Sequence, residues 1–411
     1  MNLKTRDPLL YSIIEKEKER QMLSLEMIAS ESMQPKIALE LAGSVFNNKT
    51  AVGNIGNQRL LGSQNADELE KIAAQRAREV FGADYANMVT YSGSVSNFCA
   101  YSAVLSPGDR VLAMDPASGS HQSHGGVKNI SSKLYSFKYF GLDPETLDID
   151  YASAERLTKE FKPKLIVIGS AAFPRVIDFK RFADIAHNNG ALLMADIAHF
   201  TGLVSAGVSP NPVPYADIVT GSTTKTMCGP HSGFIMCKEH LSKAVENAVY
   251  PGYVASLHLQ TVAAMAYAIE RSRTEEFKSL MKKIIHNASY LCEALKKRGF
   301  SIFTDGTDCH MFLLELYGFN VNGVEFADIL ESIGISSNSK GIPFDESPVA
   351  MGIRMGVTVL TQRGMGDREM DQIADLIYKA AVNHSDASVL ESLKKEVRAL
   401  AERFPIPEEY I

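Results

Sequence analysis

The chain has 411 residues, of which 45% are hydrophobic and 22% charged, with a formal net charge of −6. This balance describes a globular protein with a large core and more than one ordinary domain, and its mild acidity argues against nucleic acid or an anionic membrane as the main partner. No run is apolar and long enough to span a bilayer, the N-terminus leads straight into charged residues, and the five cysteines show neither CxxC pairing nor metal spacing, so reduced thiols, no metal and a cytoplasmic location are expected.

Asp7-Pro8 predicts a helix start, because a capping side chain precedes a proline whose missing N–H is harmless there. An exposed, Glu- and Lys-rich helix is expected over 9–21. Asn65 is the expected cap of a second helix, in which Leu69, Ile72, Ala73 and Val80 recur at helical spacing and Gly82 stands at the C-terminal glycine position. Short apolar runs then alternate with helical stretches. Strands are expected over 86–90, 110–114, 165–168, 191–195, 218–221 and 233–237, with a helix over 178–187. The alternation predicts an α/β fold with a mainly parallel sheet flanked by helices. Residues 259–271 read as a long buried helix, with a boundary near Glu275. The expected organisation is an N-terminal arm over 1–30, a large domain over 31–275 and a smaller C-terminal α/β domain over 276–411 that ends in a helix around 370–382.

Four motifs stand at or near strand ends, where an open α/β sheet places its ligands. Tyr91-Ser92-Gly93-Ser94-Val95-Ser96-Asn97 joins a strand to a helix. Its hydroxyls and first helical N–H groups could cradle a phosphate, or form an ordinary capped turn. Asp196 follows an apolar strand, with His199 three residues on. Such an acid is either a helix cap or the buried partner of a protonated ring nitrogen. Lys225 lies in a hydroxyl-rich turn, Thr220-Gly221-Ser222-Thr223-Thr224-Lys225-Thr226, where partial desolvation suits attack on an aldehyde, although most lysines are simply solvated. Arg354, in Gly352-Ile353-Arg354-Met355-Gly356, is either a structural ion-pair partner or a carboxylate clamp. No GxGxxG occurs, which argues against a dinucleotide.

Taken together, these residues resemble the serine hydroxymethyltransferase family over nearly the whole chain. The resemblance is carried by Ile28-Ala29-Ser30-Glu31-Ser32, Phe81-Gly82-Ala83-Asp84-Tyr85-Ala86-Asn87, Ser92-Gly93-Ser94, and His121 and His124 in SHQSHGG. It continues through Phe173-Pro174-Arg175-Val176-Ile177-Asp178, Asp196 to His199, Asn211-Pro212-Val213-Pro214, Lys225-Thr226 and Gly352-Ile353-Arg354. It implies a fold-type-I enzyme that uses pyridoxal 5′-phosphate on an α-amino acid through a Cα carbanion. By the same resemblance Lys225 would hold the cofactor as a Schiff base, Asp196 would bind the pyridine nitrogen and His121 would stack on the ring. His199 and Thr223 would line its O3′ side, and Ser92, Gly93 and Ser94 would hold the phosphate. Arg354 and Ser30 would bind the substrate carboxylate. The family is built from dimers whose active sites lie between subunits, so a homodimer is expected.

The chain departs from the family between Lys49 and Gly62. Val52 stands where the family has its catalytic glutamate, and Thr50, Arg59 and Leu60 replace tyrosines. Thr224 replaces the histidine before the lysine, His231 an arginine, and Tyr253-Val254-Ala255-Ser256 a glycine-rich segment that closes the phosphate site. Lys340 stands near the position of a folate-contacting asparagine. Valine can neither donate nor accept a proton, so the general acid–base role of the glutamate is absent, which argues against tetrahydrofolate as a partner. The leading expectation is folate-independent aldol-type chemistry at the Cα–Cβ bond of a β-hydroxy amino acid, by an aldolase or transaldolase of specialised metabolism. Three other readings stay open: β-elimination or decarboxylation of a bulky amino acid, the family's own serine–glycine exchange, and a pyridoxal-phosphate-binding partner protein without turnover.

Overall fold

The computed structural model describes residues 2–410. The chain forms two compact units, Ser32–Lys282 and Met1–Glu31 with Lys283–Ile411.

In the first unit, α1 (Gln64–Phe81) leads into β1 (Tyr85–Asn87) and α2 (Gly93–Val104). There follow β2 (Arg110–Met114), β3 (Ser136–Phe140), β4 (Leu165–Gly169), α3 (Phe179–His187) and β5 (Leu192–Asp196). The unit continues with β6 (Ile218–Ser222), β7 (Gly233–Cys237) and α4 (Leu259–Arg271). The seven strands order as β1-β7-β6-β5-β4-β2-β3. Strands β3, β2, β4, β5 and β6 pair in parallel, whereas β7 runs antiparallel to both β6 and β1. The middle of the sheet is made of Leu112, Ala113, Ile166, Val167, Leu193 and Met194, all 0% exposed. Such unbroken apolar runs are what a sheet covered on both faces requires.

Most elements lie where their sequence signals stand, and the exceptions have local causes. Helix α1 begins two residues before its expected first position, and Ser63, not Asn65, is the residue before it. The Ser63 hydroxyl donates to the Leu60 carbonyl and makes no cap bond. Gly82 does close the helix, in the left-handed conformation at φ 72°. Strand β3 carried no apolar run. Its sequence, Ser-Phe-Lys-Tyr-Phe, alternates because it is an edge strand with one wet face.

A short hairpin, Gly53–Asn54 against Asn57–Gln58, precedes α1 and covers Glu70 of that helix. Gln58 Nε2 donates to Glu70 Oε1 at 2.9 Å, and a cavity of about 130 Å³ beside them is lined by Asn54, Tyr85, Asn87 and Glu246. Burial pushes the Glu70 carboxyl up to about 8, helped by Asp67 and opposed by Gln58. The folded chain therefore keeps a proton that the unfolded chain loses near its ordinary value of 4.5, so stability falls as pH rises between those two values and levels off above them. Gln58 Oε1 is buried without a partner and can accept an amide proton. Glu70→Gln is expected to stabilise the fold by roughly 2–4 kcal/mol near pH 8 and by little near pH 4. Thermal unfolding at both pH values checks this, and a gain independent of pH contradicts it.

In the second unit, the N-terminal helix Pro8–Leu23 is capped by Asp7, whose side chain accepts from the Leu10 N–H at 3.0 Å. Leu25–Glu26 then pairs in parallel with Ile335–Ser336. The main sheet has four strands, β8 (Ser301–Ile302), β9 (Met311–Glu315), β10 (Asn338–Lys340) and β11 (Gly352–Gly356), ordered β8-β9-β11-β10 and antiparallel throughout. Helix α5 (Asp367–Val382) starts earlier than its apolar pattern suggested, and a further helix, α6 (Ala387–Arg403), follows it from an Asp386 cap. Arg363 ties this unit together: its guanidinium donates to the carbonyls of Met22, Ser24, Ala401 and Phe404 at 2.6–2.9 Å. Among the described residues, no helix is long and apolar enough to cross a membrane.

Candidate active site

Three loops leave the C-terminal ends of parallel strands in the first unit, and a fourth segment leads from β1 into α2. Asp196 is the last residue of β5 and is only 7% exposed. Its register partner on β4 is Gly169, where a Cβ would lie 2.8 Å from the Asp196 Cβ, so only glycine leaves room. Asp196 Oδ1 accepts from the Ala198 N–H at 2.8 Å. Oδ2 accepts from Asn97 Nδ2 at 2.8 Å and lies 3.0 Å from His124 Nε2. A carboxylate there calls for a proton on His124 Nε2. Burial pushes the Asp196 carboxyl up, but the hydrogen bond and charge of His124, then Asn97, outweigh it and hold the group well below the usual carboxylate range. Asp196 is thus an ionised carboxylate at neutral pH, inside the protein.

Each of these donors is itself fixed. Asn97, on α2, accepts from Thr220 Oγ1 at 2.6 Å, and Thr220 is the register partner of Asp196 on β6. Asn97 Nδ2 also donates to Ser123 Oγ at 2.8 Å. That hydroxyl stands 2.8 Å from His121 Nδ1. A continuous polar chain therefore runs from His121 through Ser123 and Asn97 to Asp196. The rings of His121 and His124 meet edge to face, 6.0 Å apart.

Helix α2 begins beside this cluster. Ser92 is its N-cap, and the Ser92 hydroxyl accepts from the Val95 N–H. The first N–H groups of a helix have no intrahelical acceptor, so those of Gly93 and Ser94 point outward as an anion-binding end. A Cβ built on Gly93 would lie 3.6 Å from Ala198 and 3.7 Å from Ser222, which brings the turn against both the Asp196 loop and the end of β6. Gly233 allows β7 to pass behind the turn, because any Cβ there would overlap Ser92 and Ser96.

The Lys225 turn follows β6 and is held by hydroxyl groups. Ser222 Oγ lies 2.8 Å from Thr224 Oγ1, and Thr223 Oγ1 donates to the Pro230 carbonyl at 2.7 Å. Thr226 Oγ1 donates to the His199 carbonyl at 2.8 Å and accepts from the Gly202 N–H at 3.0 Å. Thr226 thereby joins the turn to the segment that follows Asp196. Lys225 itself is half-buried, His199 is buried, and the Ser32 hydroxyl donates to the Thr224 carbonyl at 2.6 Å.

Arg354 and Ser30 belong to the other unit. Arg354 sits mid-strand on β11, half-buried, and its Nε donates to Asn338 Oδ1 at 3.1 Å. Burial pushes its guanidinium down from the ordinary value. Ser30 adjoins Ala29, whose Cβ would be 3.2 Å from a Cβ on Gly356 of the same strand. In the first unit, hydrogen bonds and packing thus gather Ser92, Gly93, His121, Asp196, His199 and the Lys225 turn. Thr223 stands in that turn with its hydroxyl taken up by Pro230 and Ser232. Asn97, Ser123 and Thr220 were given no role by the sequence, and His124 only a place in a motif. Their sole signal there is that all four fall inside the motifs that carry chemistry or family resemblance.

Val52 is half-buried, and its carbonyl accepts from the Arg59 N–H at 2.7 Å. Leu60 and Leu61 are exposed, Leu61 almost wholly. The family model described as serine hydroxymethyltransferase matches residues 3–377. With the mainly parallel sheet and the polar cluster at its strand ends, this match establishes that the chain belongs to the serine hydroxymethyltransferase family, whose members are pyridoxal-phosphate-dependent transferases of fold type I acting on amino acids.

Proposed function

We propose that the chain holds pyridoxal 5′-phosphate through Lys225 and carries out folate-independent aldol-type chemistry at the Cα–Cβ bond of a β-hydroxy amino acid. The observation that carries the cofactor reading is the ionised Asp196, buried and clamped by Asn97, His124 and the Ala198 N–H. An anion so placed suits a protonated pyridine nitrogen, which would otherwise be costly to bury. The open N–H groups at the start of α2 suit a phosphate, and the half-buried Lys225 suits an aldehyde. When bound, the cofactor supplies an electron sink for the electrons of a breaking Cα bond.

The residues of the chain do the rest. Asp196 would keep the ring nitrogen protonated. Ser92, Gly93 and Ser94 would hold the phosphate, His121 would lie against the ring, and His199 and Thr223 would line its O3′ side. Lys225 would hold the aldehyde, and its amine could carry a proton at the substrate. Arg354 and Ser30 take the α-carboxylate, which orients the bond to be broken. Val52 contributes no proton, and this supports chemistry without the folate-linked half of the family's reaction. The family is typically dimeric or tetrameric. That habit of the family supports a homodimer here.

The test is incubation of the cofactor-loaded protein with threonine and with serine, each with and without tetrahydrofolate. Glycine and the matching aldehyde are expected at equal rates in both conditions. Strictly folate-dependent serine–glycine exchange would sink the reading. Pyruvate with ammonia, or carbon dioxide, would replace it by elimination or decarboxylation.

A further inference from the structure

Asp196 is buried and ionised, so it can only accept hydrogen bonds. That sets the direction of every bond in the polar chain that leaves it. Asn97, 1% exposed, has to turn its amide nitrogen toward the carboxylate, and Nδ2 lies 2.8 Å from Asp196 Oδ2. The amide oxygen accepts from Thr220 Oγ1 at 2.6 Å, which fixes the same orientation from the other end. The second Nδ2 proton goes to Ser123 Oγ at 2.8 Å.

Ser123 is 0% exposed. A buried hydroxyl can accept, and it also has one proton to donate. Among the described residues, Ser123 Oγ has two partners, Asn97 Nδ2 and His121 Nδ1, each at 2.8 Å. Asn97 is a donor there, so the hydroxyl proton goes to His121 Nδ1. The Ser123 N–H donates to the same nitrogen at 3.2 Å. Two donors of one residue thus converge on Nδ1, which has to offer its lone pair, and the ring proton sits on Nε2. The opposite tautomer would set an Nδ1 proton against the Ser123 N–H and leave a buried hydroxyl proton without an acceptor.

We propose that Ser123 is a positioning residue that holds His121 with Nδ1 unprotonated and Nε2 protonated, so that His121 enters the chemistry as a hydrogen-bond donor and not as a base. A neutral imidazole has one ring nitrogen with a free lone pair, and here that pair is already taken up by Ser123. The tautomer follows from the hydrogen bonds alone. Its use beside a cofactor rests on the pyridoxal-phosphate reading, and on that reading proton transfer at the substrate is left to Lys225.

The experiment is nitrogen-15 NMR of protein labelled at its histidines, which tells a protonated from an unprotonated ring nitrogen. Spectra are recorded near neutral pH, without and with added pyridoxal phosphate, and His121→Gln identifies the His121 signals by their loss. In wild type, His121 is expected as a single tautomer with Nδ1 unprotonated in both samples. Ser123→Ala removes the shorter of the two bonds to Nδ1, and the single-tautomer signature is expected to be lost as the Nδ1–H form appears, with an unaltered circular dichroism spectrum. An unprotonated Nε2 in wild type, or protons on both nitrogens, overturns the inference, and so does a His121 signature unchanged in folded Ser123→Ala. If that variant does not fold, the wild-type spectrum decides. Failure of wild type to take up pyridoxal phosphate, read from the cofactor's absorbance, overturns the cofactor reading instead and leaves the tautomer standing.

Discussion

Lys225→Ala is expected to fold, to lose covalent attachment of the cofactor, and to turn over amino acids at least about 10³-fold more slowly. Folding should survive because the turn is held by the hydroxyls of Ser222, Thr223 and Thr226 and by the backbone bond from the Cys228 N–H to the Lys225 carbonyl. None of these needs the lysine side chain. The loss of rate should be large because the side chain is proposed to have two tasks, attaching the aldehyde and moving a proton. With Thr224 beside it where the family has histidine, Lys225 would carry more of that second task on the proposed reading. A small primary amine added to the variant should restore part of the rate, which a merely structural defect would not allow. Steady-state kinetics with and without the amine checks the expectation. A variant with near wild-type turnover contradicts it.

Asp196→Asn is expected to lower turnover by at least about 10²-fold, the scale of removing one preorganised electrostatic contact. The amide fits the same space but is neutral, so a protonated ring nitrogen would lose its counter-charge. His124 and Asn97 would still share one oxygen, now that of a neutral amide, while the Ala198 N–H would face the amide nitrogen, and stability at neutral pH should drop by about 1–3 kcal/mol. The pH dependence has a definite sign. Asp196 has its folded-state pKa held below the ordinary value of 3.8, so its stabilisation is present above that value and is lost as pH falls through the folded-state value. Wild type should therefore lose stability toward low pH more steeply than Asp196→Asn. Parallel thermal unfolding curves below about pH 4 would contradict the charge state assigned here.

The central strands were legible because residues 110–114, 165–168 and 218–221 are near-continuous apolar runs, and such runs suit few other places. Strand β3 was not, since an edge strand alternates and Ser136 to Phe140 resemble a loop. Asp196 and Lys225 could be found because each follows an apolar run at a strand end. Asn97 could not be assigned in the same way. It reaches Asp196 across 99 positions, and nothing in a helix start tells which side chain turns toward a distant strand. His121 and His124 are equally prominent in one motif, yet only the fold shows that His124 holds the carboxylate. Glu70 shows the converse problem. It sits in an amphipathic helix full of charge and looks solvated, and its burial comes from the hairpin folded over it.

Lys225 as the cofactor lysine is the proposal on which the other roles depend. Its most direct test is borohydride reduction of the pyridoxal-phosphate-loaded protein, followed by peptide mass mapping. One modified peptide is expected, the one that contains Lys225, with protection from modification when an amino acid substrate is bound first. Label scattered over surface lysines, or fixed at another single lysine, would contradict it.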